Sequence, residues 1–157
     1  MSSGCDCVHC LVRLCGEAES SFTEQMNEKA RTLKLQGTHF TTTTGLEEAE
    51  QYTTARDMVL LCREAVERYS VLLEFTSQAE REIDGRVFRN TTRFVGMDER
   101  VLGLKTGTSE MRGNHLAIYA QSEGRRYIVT LLGSSDGSSR YLEMVSILDV
   151  LFPEDRP

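Results

Sequence analysis

Three β-compatible segments crowded between residues 101 and 134 constrain this chain more than any other feature. They read VLGLKTG at 101–107, NHLAIYAQ at 114–121 and RRYIVTLLGS at 125–134. Each is of strand length and carries branched or aromatic side chains that suit a pleated, half-buried surface. The link SEGR between the second and third is short enough to predict an antiparallel hairpin. A helix is predicted from about Ser138 to Phe152, with Tyr141, Val145, Leu148 and Leu151 on one side. The second half of the chain therefore reads as a three-stranded antiparallel meander covered by a C-terminal helix.

The first half reads differently. In DCVHCLVRLC, residues 6–15, the small or apolar Cys7, Cys10, Leu11 and Leu14 recur at three- and four-residue spacing, and Gly16 follows as a stop, so a short buried helix is expected. A second helix is expected from Ser21, which can form a capping box with Glu24, through Phe22, Met26 and Leu33 to Leu35–Gly37. The β-branched THFTTTTGL at 38–46 suits a short extended piece or loop. Thr54, with Asp57 three residues on, caps a helix over 54–69 that carries Met58, Leu61, Ala65, Val66 and Tyr69. In REIDGRVFRNT, Asp84-Gly85 is a two-residue hairpin turn. With no repeat and no linker, the expectation is one α+β domain over 1–157: a mainly helical part over 1–80, then the meander and helix over 81–157.

Composition narrows the function. With 39 % hydrophobic and 27 % charged residues the chain is of folding composition, and its net charge of −6 argues against a phosphate-tracking surface, so nucleic acid is not an expected partner. No apolar run reaches 18 residues, and the N-terminus lacks the pattern of a secretory signal, so the chain as written is expected to stay where it is made. Five Cys, four of them within 5–15, make an odd count at short spacing, and reduced thiols are expected.

Only three lysines occur, and one of them, Lys105, stands on a predicted strand followed by Thr106 and Gly107. The blocks MNEKARTLKLQGTHF, TGL, YTTARDMVLLCREA, GLKTGTSEMRGN and LLGSSDGSSRYLEMVSILDVLF, in that order, resemble the serine-type D-alanyl-D-alanine carboxypeptidases. These are the low-molecular-mass penicillin-binding proteins, related to class A β-lactamases. The resemblance runs from Ser3 to Phe152 and implies part of a β-lactamase/DD-peptidase-like domain. Such enzymes carry S-x-x-K, S-x-N and K-T-G elements for acyl transfer. The resemblance implies that Lys105 and Thr106 grip the carboxylate of a peptidoglycan stem peptide or a β-lactam. It further implies that Gly107 admits substrate to the backbone, that Thr108 N–H is an oxyanion donor, and that Arg140 faces the substrate carboxylate. It implies no cofactor and no metal, and a workplace outside the cytoplasmic membrane.

Departures from the family pattern are equally legible. Ser3-Gly4 fits the S-x-N element, but Cys5 stands where asparagine is usual, and a thiol cannot supply the amide's donors and acceptor. Thr42 and Thr43 replace an Asn-Pro pair, and Ser109 and Arg112-Gly113 follow K-T-G in place of Thr and Ala-Gly. No S-x-x-K occurs: the residues three before Lys29, Lys34 and Lys105 are Met26, Arg31 and Leu102. In the family that motif lies upstream of the matching region, together with strands that complete the sheet. The expectation is thus a truncated relative that is inactive alone, with an open edge at 125–134 for an upstream complementing segment or for self-association.

Two other chemistries have candidate residues in the sequence. Cys5, Cys7, His9, Cys10 and Cys15 are zinc-type ligands, but His9 points off the face shared by Cys7 and Cys10 on a helix, so small core side chains are the expected role. A thiol nucleophile at Cys5 with His9, His39 or His115 lacks any sequence feature that assembles a base and an oxyanion hole.

Overall fold

Ten elements follow one another along the chain in a computed structural model that describes residues 2–46 and 48–153. They divide into two units, Ser3–Leu61 and the chain from Cys62 onward.

The first unit begins with α1 (Cys5–Leu14) and α2 (Glu19–Thr32). The expected buried face of α1 is corrected. Cys7, Cys10, Leu11 (60 % exposed) and Leu14 (83 %) point outward, and Val12 is the buried residue with Val8 half-buried beside it. Valines four apart form the inner stripe, and spacing alone could not choose between it and the cysteine–leucine stripe. The capping box is corrected too: α2 starts two residues earlier, with Ala18 at its cap and no side-chain cap. The Ser21 hydroxyl donates instead to Glu17 Oε2 at 2.5 Å.

The loop after α2 is held by side chains from three places. Asn27 accepts from Phe40 N–H and donates to Phe40 O, both at 2.8 Å, which replaces a strand partner with an amide side chain. Gln51 Oε1 accepts from the N–H groups of Thr41 and Thr42, while its Nε2 donates to Leu46 O. His39 and Tyr52 exchange backbone hydrogen bonds in a short bridge. Helix α3 (Ala55–Arg68) starts as its sequence predicts, with Asp57 N–H donating to Thr54 Oγ1 at 3.1 Å. Asp57 itself is only 2 % exposed, and its Oδ2 accepts from Gly37 N–H and the Thr38 hydroxyl, both at 2.8 Å. The helix stop is thereby tied to the next helix start.

In the second unit, α4 (Val71–Thr76) leads into the hairpin β1 (Glu80–Ile83) and β2 (Arg86–Arg89). Asp84 and Gly85 both have positive φ, as a two-residue turn of the matching twist requires. Strands β3 (Val101–Ser109), β4 (Gly113–Ser122) and β5 (Arg125–Ser134) form the meander in the order β3-β4-β5, antiparallel throughout. One face carries Val101, Leu116, Ile118 and Ala120, which pack on Met144, Leu148 and Phe152 of and beside α5 (Ser139–Leu151). Val145, expected on the inner side of α5, is 41 % exposed and is corrected to Met144: the sheet meets the helix along the 141–144–148 line, with Tyr141 half-buried. Among the described residues no strand pairs with the outer edge of β3 or of β5.

Two bulges shape this sheet. Opposite the step from Ala120 to Ile118, β3 uses an extra residue around Gly103, whose place at φ +132 lies against Thr76 of α4. Opposite the step from Asn114 to Leu116, β5 uses an extra residue at Leu132–Gly133, with Gly133 at φ +83. A bulge leaves one ladder group without its strand partner, and the second of these matters for the site.

Candidate functional site

Successive residues of a strand point to opposite faces, and β3 spreads its Lys-Thr-Gly run accordingly. Thr106, 8 % exposed, lies on the α5 side, where its hydroxyl donates to Thr91 Oγ1 at 2.7 Å. Thr91 is fixed in turn by the Tyr141 hydroxyl, which donates to Thr91 O at 3.0 Å while accepting from Arg93 N–H at 3.3 Å. Lys105 occupies the other face, and its Nζ donates to Thr106 O at 2.6 Å. The ammonium is therefore held against the strand's own outer edge rather than extended into solvent.

Backbone direction follows from these contacts. Leu102 O accepts from the Thr76 hydroxyl at 3.1 Å and Thr106 O accepts from Lys105, so both carbonyls face the outer edge. Gly107 O instead lies beside His115 O of β4, where Arg140 Nη1 donates to both, at 3.0 and 3.3 Å. In an antiparallel strand the N–H of a residue points with its own C=O. The N–H groups of Thr106 and Thr108 thus face the same outer edge as the lysine, with which no strand of the described residues pairs.

Arg140 closes the end of the β3–β4 ladder. Its guanidinium lies 5.1 Å from the Tyr141 ring centre, a cation–π distance, and Nη1 is 3.5 Å from Thr108 Oγ1. Arg140 Nε is buried with no hydrogen-bond partner among the described residues. The second unit thus gathers Lys105, Thr106, Gly107, Thr108 and Arg140 around one strand end. Ser3 belongs to the first unit, with φ +57 just ahead of α1, and Cys5 lies against its carbonyl.

Sequence reasoning considers His115 only as a base for a thiol nucleophile and gives it no place beside Lys-Thr-Gly. It stands opposite Gly107 in the β3–β4 register, and a Cβ placed on Gly107 would come within 3.3 Å of His115 Cδ2. Glycine at 107 accordingly makes room for an imidazole as well as for a ligand. Burial and the Arg140 charge both push the His115 pKa below the ordinary histidine range, so the ring is neutral near pH 7. No group of three or more His, Cys, Asp or Glu side chains among the described residues is placed to hold a metal ion.

The family model described as D-alanyl-D-alanine carboxypeptidase matches residues 1–136. Among curated proteins, the D-alanyl-D-alanine carboxypeptidase DacF of Bacillus subtilis is 30 % identical over 98 % of this chain and 41 % of its own length. DacC of Escherichia coli is 30 % identical over 94 % of this chain and 37 % of its own. The chain therefore spans about two-fifths of the curated relatives it matches. Among solved structures, penicillin-binding protein D2 of Listeria monocytogenes in its cefotaxime-bound form superposes with a TM-score of 0.80 at 26 % identity, covering 85 % of this chain and 56 % of that one. Penicillin-binding protein 5 of Haemophilus influenzae superposes with a TM-score of 0.85 at 24 % identity, over 93 % of this chain and 43 % of that one. The fold is a partial α+β domain of the penicillin-binding-protein type, and the chain belongs to the D-alanyl-D-alanine carboxypeptidase family.

Proposed function

We propose that these residues form the substrate-holding part of a serine-type D-Ala-D-Ala carboxypeptidase that acts on peptidoglycan stem peptides outside the cytoplasmic membrane. The observation that carries this reading is the outer edge of β3. There the Lys105 ammonium, held on Thr106 O at 2.6 Å, lies along an edge that also presents the Thr106 and Thr108 N–H groups. An extended peptide laid antiparallel on that edge gains main-chain hydrogen bonds, and its terminal carboxylate meets a fixed cation. Thr108 N–H is then the oxyanion donor for the penultimate carbonyl, and Arg140 holds the Gly107–Thr108 step of the strand in place.

In the family reaction a serine Oγ adds to that carbonyl, the C–N bond breaks, D-alanine leaves with the proton, and water hydrolyses the ester. The nucleophile and its lysine form an S-x-x-K pair, and residues 1–157 contain none. By themselves these residues bind the peptide and form no acyl-enzyme. Thr106 acts from behind the edge: its buried hydroxyl locks the strand to Thr91. Ser3 is the family's S-x-N serine, paired here with Cys5 rather than asparagine.

A second reading is favoured by a separate observation. The edge of β5 carries no strand among the described residues, and the Cys7–Cys10–Leu11–Leu14 face of α1 is exposed, which suits a fragment that is completed by a separate upstream segment. Among the described residues no helix is long and apolar enough to cross a membrane.

The test pairs two measurements on the 157-residue chain. A fluorescent penicillin, read on a denaturing gel beside a full-length carboxypeptidase, is expected to leave no covalent label. An N-acetylated peptide ending in D-Ala-D-Ala is expected to bind weakly and saturably, and Lys105→Ala is expected to abolish that binding. A stoichiometric label at one residue would overturn the noncatalytic reading. Peptide binding that is unchanged in Lys105→Ala would overturn the assignment of the β3 edge.

A further inference from the structure

We infer that His115 is an additional ligand-side donor at the Lys-Thr-Gly edge, a neutral imidazole locked by the β5 bulge with its Nε2–H turned over Gly107 toward the bound peptide's carboxylate. The inference rests on the peptide-binding reading above and adds to it a residue that neither the Lys-Thr-Gly run nor the serine elements contain.

The bulge supplies the lock. Because β5 places an extra residue at Leu132–Gly133 opposite His115, the Gly133 N–H has no ladder carbonyl, and it donates to His115 Nδ1 at 3.0 Å. A ring nitrogen that accepts a hydrogen bond carries no proton, so the proton of the neutral ring is on Nε2.

The ring's orientation follows from its two neighbours. Nδ1 and Cδ2 lie on opposite sides of the imidazole. Nδ1 faces Gly133 of β5, and Cδ2 is the ring atom nearest the place of a Gly107 side chain on β3. The ring thus spans β4 from one neighbouring strand to the other, and Nε2, bonded to Cδ2, is on the β3 side. Nε2 has no hydrogen-bond partner among the described residues, and His115 is half-buried, so the donor is available to a ligand. By strand alternation it shares a face with Lys105, which stands opposite Ala117 in the same register. Arg140 anchors the carbonyl of His115 itself, at 3.3 Å. Nε2–H thus lies over Gly107 on the Lys105 face of the sheet, and the absence of a side chain at 107 leaves it open toward an anion held at the β3 edge.

The 157-residue chain, labelled with ¹⁵N, gives the test. Long-range ¹H–¹⁵N spectra of its imidazoles at pH 7 are expected to show His115 as the Nε2–H tautomer. Adding the N-acetylated D-Ala-D-Ala peptide is expected to shift the His115 Nε2 signal and to leave His9 unmoved. His115→Ala is expected to weaken peptide affinity about 10- to 150-fold, the effect of losing one hydrogen bond to a charged acceptor. His115→Gln, which keeps an N–H donor, is expected to restore most of it. A peptide that binds while the His115 signals stay still overturns this inference and leaves the β3-edge reading standing. So does a His115→Ala chain that binds as tightly as the wild type. A wild-type chain that binds no peptide overturns both.

Discussion

Replacing Asp57 by alanine tests how the first unit holds its long loop. The carboxylate is 2 % exposed, and one oxygen accepts from both Gly37 N–H and the Thr38 hydroxyl at 2.8 Å. The two donors fare differently when it is removed. Thr38 keeps a partner in the Thr53 hydroxyl at 2.9 Å, whereas Gly37 N–H loses the acceptor recorded for it. One hydrogen bond to a charged acceptor is lost and one half-buried donor is stranded, which sets the cost at about 2–4 kcal/mol. Water has little room to replace the carboxylate near Gly37, because the Thr54 methyl lies 2.6 Å from where a Gly37 Cβ would be. Asp57→Asn retains an oxygen able to accept both bonds, so its expected cost is below about 1.5 kcal/mol.

Because the chain has two units, a single global unfolding free energy is the wrong observable, and amide hydrogen exchange resolved by residue is the right one. In Asp57→Ala the Gly37 amide and the His39–Tyr52 bridge amides are expected to exchange about 30- to 1,000-fold faster, as 2–4 kcal/mol implies. The β3–β5 amides are expected to keep their protection. Unchanged exchange at Gly37 in Asp57→Ala would refute the argument that this carboxylate anchors the loop. Equal losses in the alanine and asparagine variants would refute the part that rests on a retained acceptor.

Two further outcomes follow from other parts of the chain. Leu148, fully buried between α5 and the sheet, is expected to cost the second unit about 3 kcal/mol when cut to alanine, read from faster exchange of the β3–β5 amides; a cost below about 1 kcal/mol would mean that α5 does not seat on the sheet as described. Burial pushes the Cys62 thiol up to about 11, so iodoacetamide at pH 8 is expected to modify the exposed Cys7, Cys10 and Cys15 well before Cys62; equal rates by peptide mass mapping would contradict the burial.

Much of the architecture was legible because its signals are local. The Asp84-Gly85 turn needs two residues of positive φ, the Thr54 cap needs a hydroxyl three residues ahead of an N–H, and the meander needs only alternation and a short link. The Lys-Thr-Gly run was legible for a different reason: its neighbours in sequence matched the family block by block. The faces of α1 and α5 were not legible in the same way. Cys7, Leu11 and Leu14 on one helix, and Val145 on the other, are apolar side chains at acceptable spacing that ended outside, because apolar stripes overlap on a short helix and the partner surface selects one.

The chain's own order of residues determined the strands, the turns, the helix start at Thr54 and membership of an acyl-transfer family, since each depends on groups within a few residues of one another or on matching blocks. Tertiary structure alone decided which way the chemistry points. It turned the Thr106 hydroxyl onto Thr91, 15 positions earlier, seated Arg140 on carbonyls of two strands, and set a bulged glycine 18 residues away against His115 Nδ1. Those partners are distant in sequence, and no local pattern encodes a contact that exists only once the sheet has closed on its helix.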